Sequence, residues 1–237
     1  MRLALLLLML LALPSGAATV TIGAAFNRPP YIIEDAESGF ELEVIRAAFA
    51  EMGMEVRFKF YSRKRQILFY EKGRLDGVMT ISPSFGLSGY PSDIYINYFN
   101  VAISLKSRQL HLQQVMDLAN YNVVAFENAS LLLGGDIQTL SRRPNYREIE
   151  PQYTQNKLLY LGRADVAVAD KYVFLANNAL VGDEVDTSKE LEFHQLFALS
   201  PYLVMFRNSI VRDAFNAGLG KLKASGKYQA LQQKFLE

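Results

Sequence analysis

Two stretches with a shared pattern decide the fold class: GRLDGVMT at residues 73–80 and GRADVAVA at residues 162–169. Each follows an apolar segment with helical spacing, and each leads into a short apolar run. Gly73 and Gly162 suit the left-handed backbone that ends a helix, and the apolar runs have the length and composition of buried strands. The pattern therefore predicts one helix–turn–strand joint that occurs twice.

The elements around the two joints also repeat in the same order. Around the first joint, the pattern predicts strands at 19–26, 54–60 and 75–80 and helices at 40–52 and 63–73. Around the second, it predicts strands at 121–126, 145–150 and 164–169 and helices within 128–135 and 154–162. Such alternation is typical of parallel sheets with crossover helices. We predict an α/β fold with two lobes, each a mainly parallel sheet flanked by helices; one large sheet is the alternative.

The composition excludes several classes of function. The chain has 237 residues, a formal net charge of +1 and no cysteine. A balanced charge gives no attraction to nucleic acid, and the lack of cysteine rules out disulfides and thiol chemistry. His111 and His194 lack the spacing of metal ligands or of a catalytic triad, and we predict that both lie at the surface. We therefore expect no metal, no other cofactor and no enzyme activity.

The first residues have the pattern of a secretory signal peptide. Arg2 precedes an apolar run from Leu3 to Leu13, and small residues follow as far as Ala18. The run is shorter than the roughly 20 residues that span a membrane. We predict a signal peptide at 1–18 and an exported, periplasmic protein; a buried core helix or a retained anchor is the alternative.

The joints also predict where a ligand binds. In an open parallel α/β sheet, ligands bind beyond the carboxyl ends of the strands. Thr80 and Ser82 follow one repeated strand and Asp170 follows the other, so hydroxyls and a carboxylate would face a small polar ligand that carries an amine. Asp170 also suits the N-cap of the next helix, and the two hydroxyl residues suit turn caps. Residues 127–130, ENAS, open a helix that would hold an anion or simply be capped.

Several motifs occur in the order and at the distances of one protein family. They are PPYIIEDAESGFELEVIRAAFAEMG at 29–53, EKGRLDGVM at 71–79, PSDIY at 91–95, VVAFENAS at 123–130, LGRADVAVAD at 161–170 and SGKYQALQQKFLE at 225–237. With these motifs the chain resembles the extracellular solute-binding proteins that serve polar amino-acid uptake, which have the type 2 periplasmic binding fold. The resemblance covers nearly all of the chain after the predicted signal peptide.

The resemblance implies two lobes that close on a ligand by hinge bending. The first lobe would comprise 19–103 and 200–237, the second 107–196, and the hinge strands would lie near 104–106 and 198–200.

The resemblance also implies roles for individual residues. Asp170 matches the carboxylate that pairs with the α-amino group of the ligand. Ser130, with Asn128 ahead of it, matches the hydroxyl residue at a helix start in the second lobe. Thr80 and Ser82 match donors and acceptors at a strand end in the first lobe.

One part of the family pattern is missing. The loop SPSFGLSGYPSD at 82–93 has no arginine, whereas the family usually places one here to bind the ligand carboxylate. Arg28 lies three residues before Tyr31, where the family often has an aromatic that stacks on the ligand, and Arg63 and Arg65 begin the helix after KFYS. Any of the three would supply the paired N–H groups that bind a carboxylate, although the last two also suit a solvated helix end. The predicted ligand is a small zwitterion or anion.

The resemblance thus predicts an exported, monomeric protein that captures an amino acid or a related carboxylate between its lobes for an inner-membrane ABC permease. An orphan sensor that signals through a partner, and a dehydratase-like lyase on the same fold, remain the alternatives.

Overall fold

A computed structural model describes residues 18–237 of the chain, so the predicted signal peptide lies outside the described residues except for Ala18. The strands are β1 Thr19–Ala24, β2 Glu55–Phe60, β3 Gly77–Ile81, β4 Tyr90–Pro91, β5 Ile96–Tyr98, β6 Asn100–Leu105, β7 Val123–Phe126, β8 Tyr146–Ile149, β9 Val166–Asp170, β10 Leu191–His194 and β11 Ser200–Phe206. The helices are α1 Phe40–Ala50, α2 Arg63–Glu71, α3 Ala129–Leu133, α4 Gly135–Leu140, α5 Tyr153–Tyr160, α6 Lys171–Val181, α7 Ser209–Ala224 and α8 Lys227–Leu236.

The strands form two sheets, which confirms the two-lobed α/β fold. The first sheet has the order β2-β1-β3-β11-β4, with β5 paired to β11, and the second has the order β10-β6-β9-β7-β8. In each sheet three neighbouring strands are parallel: β2-β1-β3 in the first and β8-β7-β9 in the second. The sheets are mixed rather than mainly parallel, because β11 and β6 join their sheets antiparallel to the parallel set.

The chain crosses from the first sheet to the second at Phe99. β5 pairs with β11 in the first sheet, whereas β6 pairs with β9 and β10 in the second. The crossing therefore lies about five residues before the expected hinge near 104–106, and residues 100–105 belong to the second sheet. The apolar stretch 94–105 contains no turn residue at the crossing, so its sequence reads as one continuous strand. The chain returns to the first sheet between β10 and β11.

The two repeated joints have the same local structure. Gly73 and Gly162 both have positive φ, at 73° and 68°. The aspartate of each joint accepts a hydrogen bond from a backbone N–H at the start of a neighbouring strand segment: Asp76 from Thr21 at 2.8 Å, and Asp165 from Asn122 at 2.9 Å. These carboxylates are therefore structural, and each ties a joint to the sheet that it enters.

Each lobe has its own apolar core. In the first lobe, α1 and α7 pack against the sheet through Phe49, Phe206 and Phe215, whose ring centroids lie 5.3–6.1 Å apart. In the second lobe, separate apolar clusters cover the two faces of the sheet, as expected when helices flank both sides. No helix within residues 18–237 is long and apolar enough to cross a membrane.

Candidate functional site

The two predicted strand ends do face one another, and Asp170 joins the lobes. Its Oδ1 accepts hydrogen bonds from the N–H groups of Tyr172 at 2.9 Å and Val173 at 3.0 Å, which is an N-cap of α6. Its Oδ2 accepts from the Phe99 N–H at 2.6 Å and from the Tyr31 hydroxyl, in the first lobe, at 3.0 Å. A carboxylate has about four acceptor positions, so all those of Asp170 are filled.

Tyr31 is buried between the lobes rather than exposed to a ligand. Its ring stacks on that of Tyr98, with centroids 4.2 Å apart and an interplanar angle of 13°. Burial raises the pKa of its hydroxyl, and the nearby charge of Asp170 raises that pKa further. The hydroxyl therefore keeps its proton and donates it to Asp170, in the position where the resemblance places the amine of a ligand.

Asp170 has no cation in hydrogen-bond contact, and burial raises its pKa from about 3.8 to about 6, even though its four donors oppose that rise. The folded protein therefore binds more protons than the unfolded chain between these values, and its stability should rise as the pH falls through 6. Relative to Asp170→Asn, which cannot ionise, the wild type should gain about 3 kcal/mol in unfolding free energy between pH 7.5 and pH 4. Urea unfolding of both proteins across this range measures it; a constant difference would contradict the raised pKa.

A second buried carboxylate, Glu41, was missed by the sequence analysis. It belongs to the first turn of α1 and is fully buried. Glu41 Oε2 accepts from the Thr80 hydroxyl at 2.7 Å and from the Tyr95 hydroxyl, and Oε1 accepts from the Tyr98 hydroxyl. An acid in a first helical turn normally indicates favourable interaction with the helix dipole, so its local sequence gives no sign of this network.

Arg63 supports the end of β3. Its guanidinium donates to the Gln66 side chain at 2.8 Å and to the carbonyl oxygens of Met79 at 3.1 Å and Thr80 at 3.0 Å. Thr80 has a φ of 56°, which is uncommon for a β-branched residue. These bonds hold the strand end in a strained conformation that turns the Thr80 hydroxyl to Glu41, so the geometry gives Arg63 a positioning role.

Arg28 is partly buried in the cleft and points toward both lobes. Its side chain bonds the Tyr98 hydroxyl, and Glu41 is near enough to favour its charge. On the other side, burial raises the pKa of Glu150, in the second lobe, and the charge of Arg28 opposes that rise. Within residues 18–237 no carboxylate lies within 4.0 Å of the Arg28 guanidinium. This arginine thus has neighbouring charges and no direct ion pair.

Arg65 is exposed and lies apart from this cluster. Its guanidinium lies over the rings of Tyr61 and Phe69, at 5.2 and 5.4 Å from their centroids. These are cation–π contacts of a surface residue, which agrees with the alternative of a solvated helix end.

The helix start at Asn128 and Ser130 is occupied from within the protein. The N–H groups of Asn128 and Ser130 donate to the two carboxylate oxygens of Glu148, at 2.8 and 2.7 Å. The Tyr146 hydroxyl also donates to Glu148, at 3.1 Å. The two N–H groups that were expected to hold a ligand anion therefore bind an internal carboxylate, and this arrangement leaves them unavailable to a ligand.

The structure also corrects the expectation for His194, which is buried rather than exposed. Its Nε2 lies 3.0 Å from the Ser104 hydroxyl, in the second sheet. Glu192 approaches the same nitrogen at 4.0 Å, so it does not orient the ring through Nδ1 as a triad carboxylate does. Ser104 itself is fully buried. No group of three or more His, Asp or Glu side chains in the described part of the chain is placed to hold a metal ion.

The fold and the interlobe cleft define a class, the two-lobed periplasmic binding proteins. Within that class, the chain belongs to the bacterial extracellular solute-binding proteins, family 3, whose family model matches residues 20–237. No protein of curated function matches the sequence.

Solved structures with this fold are similar over almost the whole chain. The GluR0 ligand-binding core in complex with L-glutamate is 18% identical, with a TM-score of 0.76, and the match covers 94% of this chain and 100% of that one. An ancestral arginine-binding protein bound to arginine is 21% identical, with a TM-score of 0.71 and coverage of 93% and 99%. A histidine kinase sensor domain with similarity to periplasmic binding proteins is 21% identical, with a TM-score of 0.69 and coverage of 93% and 96%. At these identities the likeness concerns the fold.

Proposed function

We propose that this protein is an exported solute-binding protein that captures a small zwitterion or anion between its lobes, with the anionic group of the ligand bound to Arg28. The observation that carries the proposal is the position of Arg28: it lies in the cleft beside charged residues of both lobes and has no direct ion pair within residues 18–237. A partly buried guanidinium is stabilised by a carboxylate that pairs with it through two N–H groups.

The other parts of the cleft fit this pose. Asp170 would bind an amine of the ligand after the lobes open and the Tyr31 hydroxyl moves away with the first lobe. Thr80, held by Glu41 and Arg63, fixes the strand end on the opposite side. Binding rather than catalysis is proposed, since the Ser104–His194 pair is buried away from the cleft surface.

Export to the periplasm and delivery to an inner-membrane ABC permease, by a monomer, complete the proposal; both follow from family membership and from the signal-peptide pattern of residues 1–18. The sensor alternative also has support, because a histidine kinase sensor domain shares the fold. In that case ligand binding would be the same and the partner would be a signalling protein.

A thermal-shift screen of the protein purified from the periplasm tests the proposal. The panel holds zwitterionic amino acids, small carboxylates and amines. A true ligand at 100 times its dissociation constant should raise the unfolding free energy by about 2.7 kcal/mol. Mass spectrometry of the same sample should find the N-terminus at Ala18 or Thr19. If no compound stabilises the protein, the binding proposal fails. If a ligand binds but deleting the gene leaves its uptake unchanged, the sensor alternative is favoured over transport.

A further inference from the structure

A cavity of about 330 Å³ lies between the lobes, beside the segment where the chain returns to the first sheet. Ser82 and Tyr202 line it from the first lobe, Leu132 and Ile137 from the second, and Phe197 from the returning segment. The residues proposed to bind the charged groups of the ligand, Arg28 and Asp170, are not among those that line it. The cavity, which we name the annex, is therefore adjacent to the charged cluster and separate from it.

The annex is lined largely by apolar side chains. Leu132, Leu133, Ile137 and Phe197 contribute most of them, and hydroxyl groups and backbone atoms are interspersed. Asp136 is the one lining residue with a formal charge at neutral pH, and it is exposed to solvent. Apolar walls with a few polar groups, in a volume of roughly 300–1,000 Å³, are characteristic of small-molecule sites.

Tyr202 connects the annex to the charged cluster. Its ring lines the annex and packs edge-on against Tyr98, with centroids 4.9 Å apart. Tyr98 in turn stacks on Tyr31 and donates to Glu41. A ligand whose charged group is held near these residues would therefore reach the annex by extending past a single ring.

We propose that the annex holds an apolar part of the ligand, so that the ligand class is a zwitterion or anion with an aliphatic or aromatic side chain. This inference rests on the proposed function for the charged end of the ligand. Burial of each methylene group in an apolar site contributes about 0.8 kcal/mol, which corresponds to about a fourfold gain in affinity.

Calorimetric titration with a homologous series of amino acids tests the annex. The probes are L-alanine, L-norvaline, L-norleucine and L-2-aminooctanoate, and affinity for the wild type should rise about fourfold per added methylene. Ala198→Phe places a ring in the annex from an exposed lining residue, and it should remove this gain while affinity for L-alanine stays unchanged. Ala230→Phe, on the exposed side of α8, is the matched control and should keep the wild-type slope.

A neutral probe without a charged group separates the annex from the proposed function. Saturation-transfer NMR should detect cyclohexanol on the wild type and on Ala230→Phe, and not on Ala198→Phe. If the amino acids bind with equal affinities along the series, the annex is ruled out and the proposed function stands. If no amino acid binds but cyclohexanol does, and only Ala198→Phe removes it, the annex stands and the proposed ligand class fails. If neither kind of probe binds, the annex is ruled out.

Discussion

Replacing Arg28 with alanine should weaken binding of the anionic ligand at least about 30-fold. Removing one partner of a buried, hydrogen-bonded charge pair costs about 2–5 kcal/mol, since the other charge is left in the cleft without a counterion. Arg28→Lys should recover only part of the loss, because an ammonium group cannot offer two parallel N–H donors to one carboxylate. Calorimetric titration with the ligand found by the thermal-shift screen measures both variants.

Arg65→Ala is the matched control for this prediction. Arg65 is exposed and its guanidinium lies over Tyr61 and Phe69, so its removal should change affinity by less than about threefold. Melting temperatures of all three variants show whether the fold is intact. If Arg28→Ala binds as tightly as the wild type while Arg65→Ala does not, the anion site lies at the start of α2 and the proposed pose is wrong.

Replacing Glu41 should have the largest effect on stability. Glu41→Ala leaves three buried hydroxyl groups without an acceptor and two neighbouring guanidiniums without a nearby negative charge. Breaking such a buried network costs about 3–5 kcal/mol. Glu41→Gln keeps the volume but not the charge, and its amide N–H₂ would face hydroxyls that now donate, so we expect it also to be destabilised. Urea unfolding, with the midpoint and slope fitted together, gives the free energies.

Glu43, two residues further along α1, provides the control. Its carboxylate pairs with Arg46 one helical turn away, in a partly exposed position. Such pairs contribute about 0–1 kcal/mol, so Glu43→Gln should unfold almost like the wild type. Equal stability of the Glu41 and Glu43 variants would show that the buried hydroxyls and arginines do not depend on the charge of Glu41.

The cleft differs from the pattern that the resemblance implies at both ends of an amino acid. The expected amine site, Asp170, is satisfied by Tyr31 and by three backbone N–H groups. The expected anion site at Ser130 is satisfied by Glu148. Arg28 is the charged cleft residue that this arrangement leaves without a direct ion pair among the described residues, and this supports a ligand whose anionic group binds in a different place from the one the family pattern implies.

The sequence by itself determined the two-lobed α/β architecture. The evidence was local: apolar periodicity within each element, and a glycine at each helix end whose neighbours required positive φ, as Gly73 and Gly162 have. The N-cap role of Asp170 was predictable for the same reason, because it depends on N–H groups only two and three residues away.

Only the tertiary structure decided the composition of the cleft. Tyr31 and Asp170 are 139 residues apart in the chain, and Glu41 meets hydroxyls 39–57 residues away. The sheet crossing at Phe99 likewise depends on which strands pair, because the apolar stretch around it contains no local signal. Local sequence determines the conformation of a segment, whereas the partner of a buried charge depends on which distant segments the fold brings into contact with it.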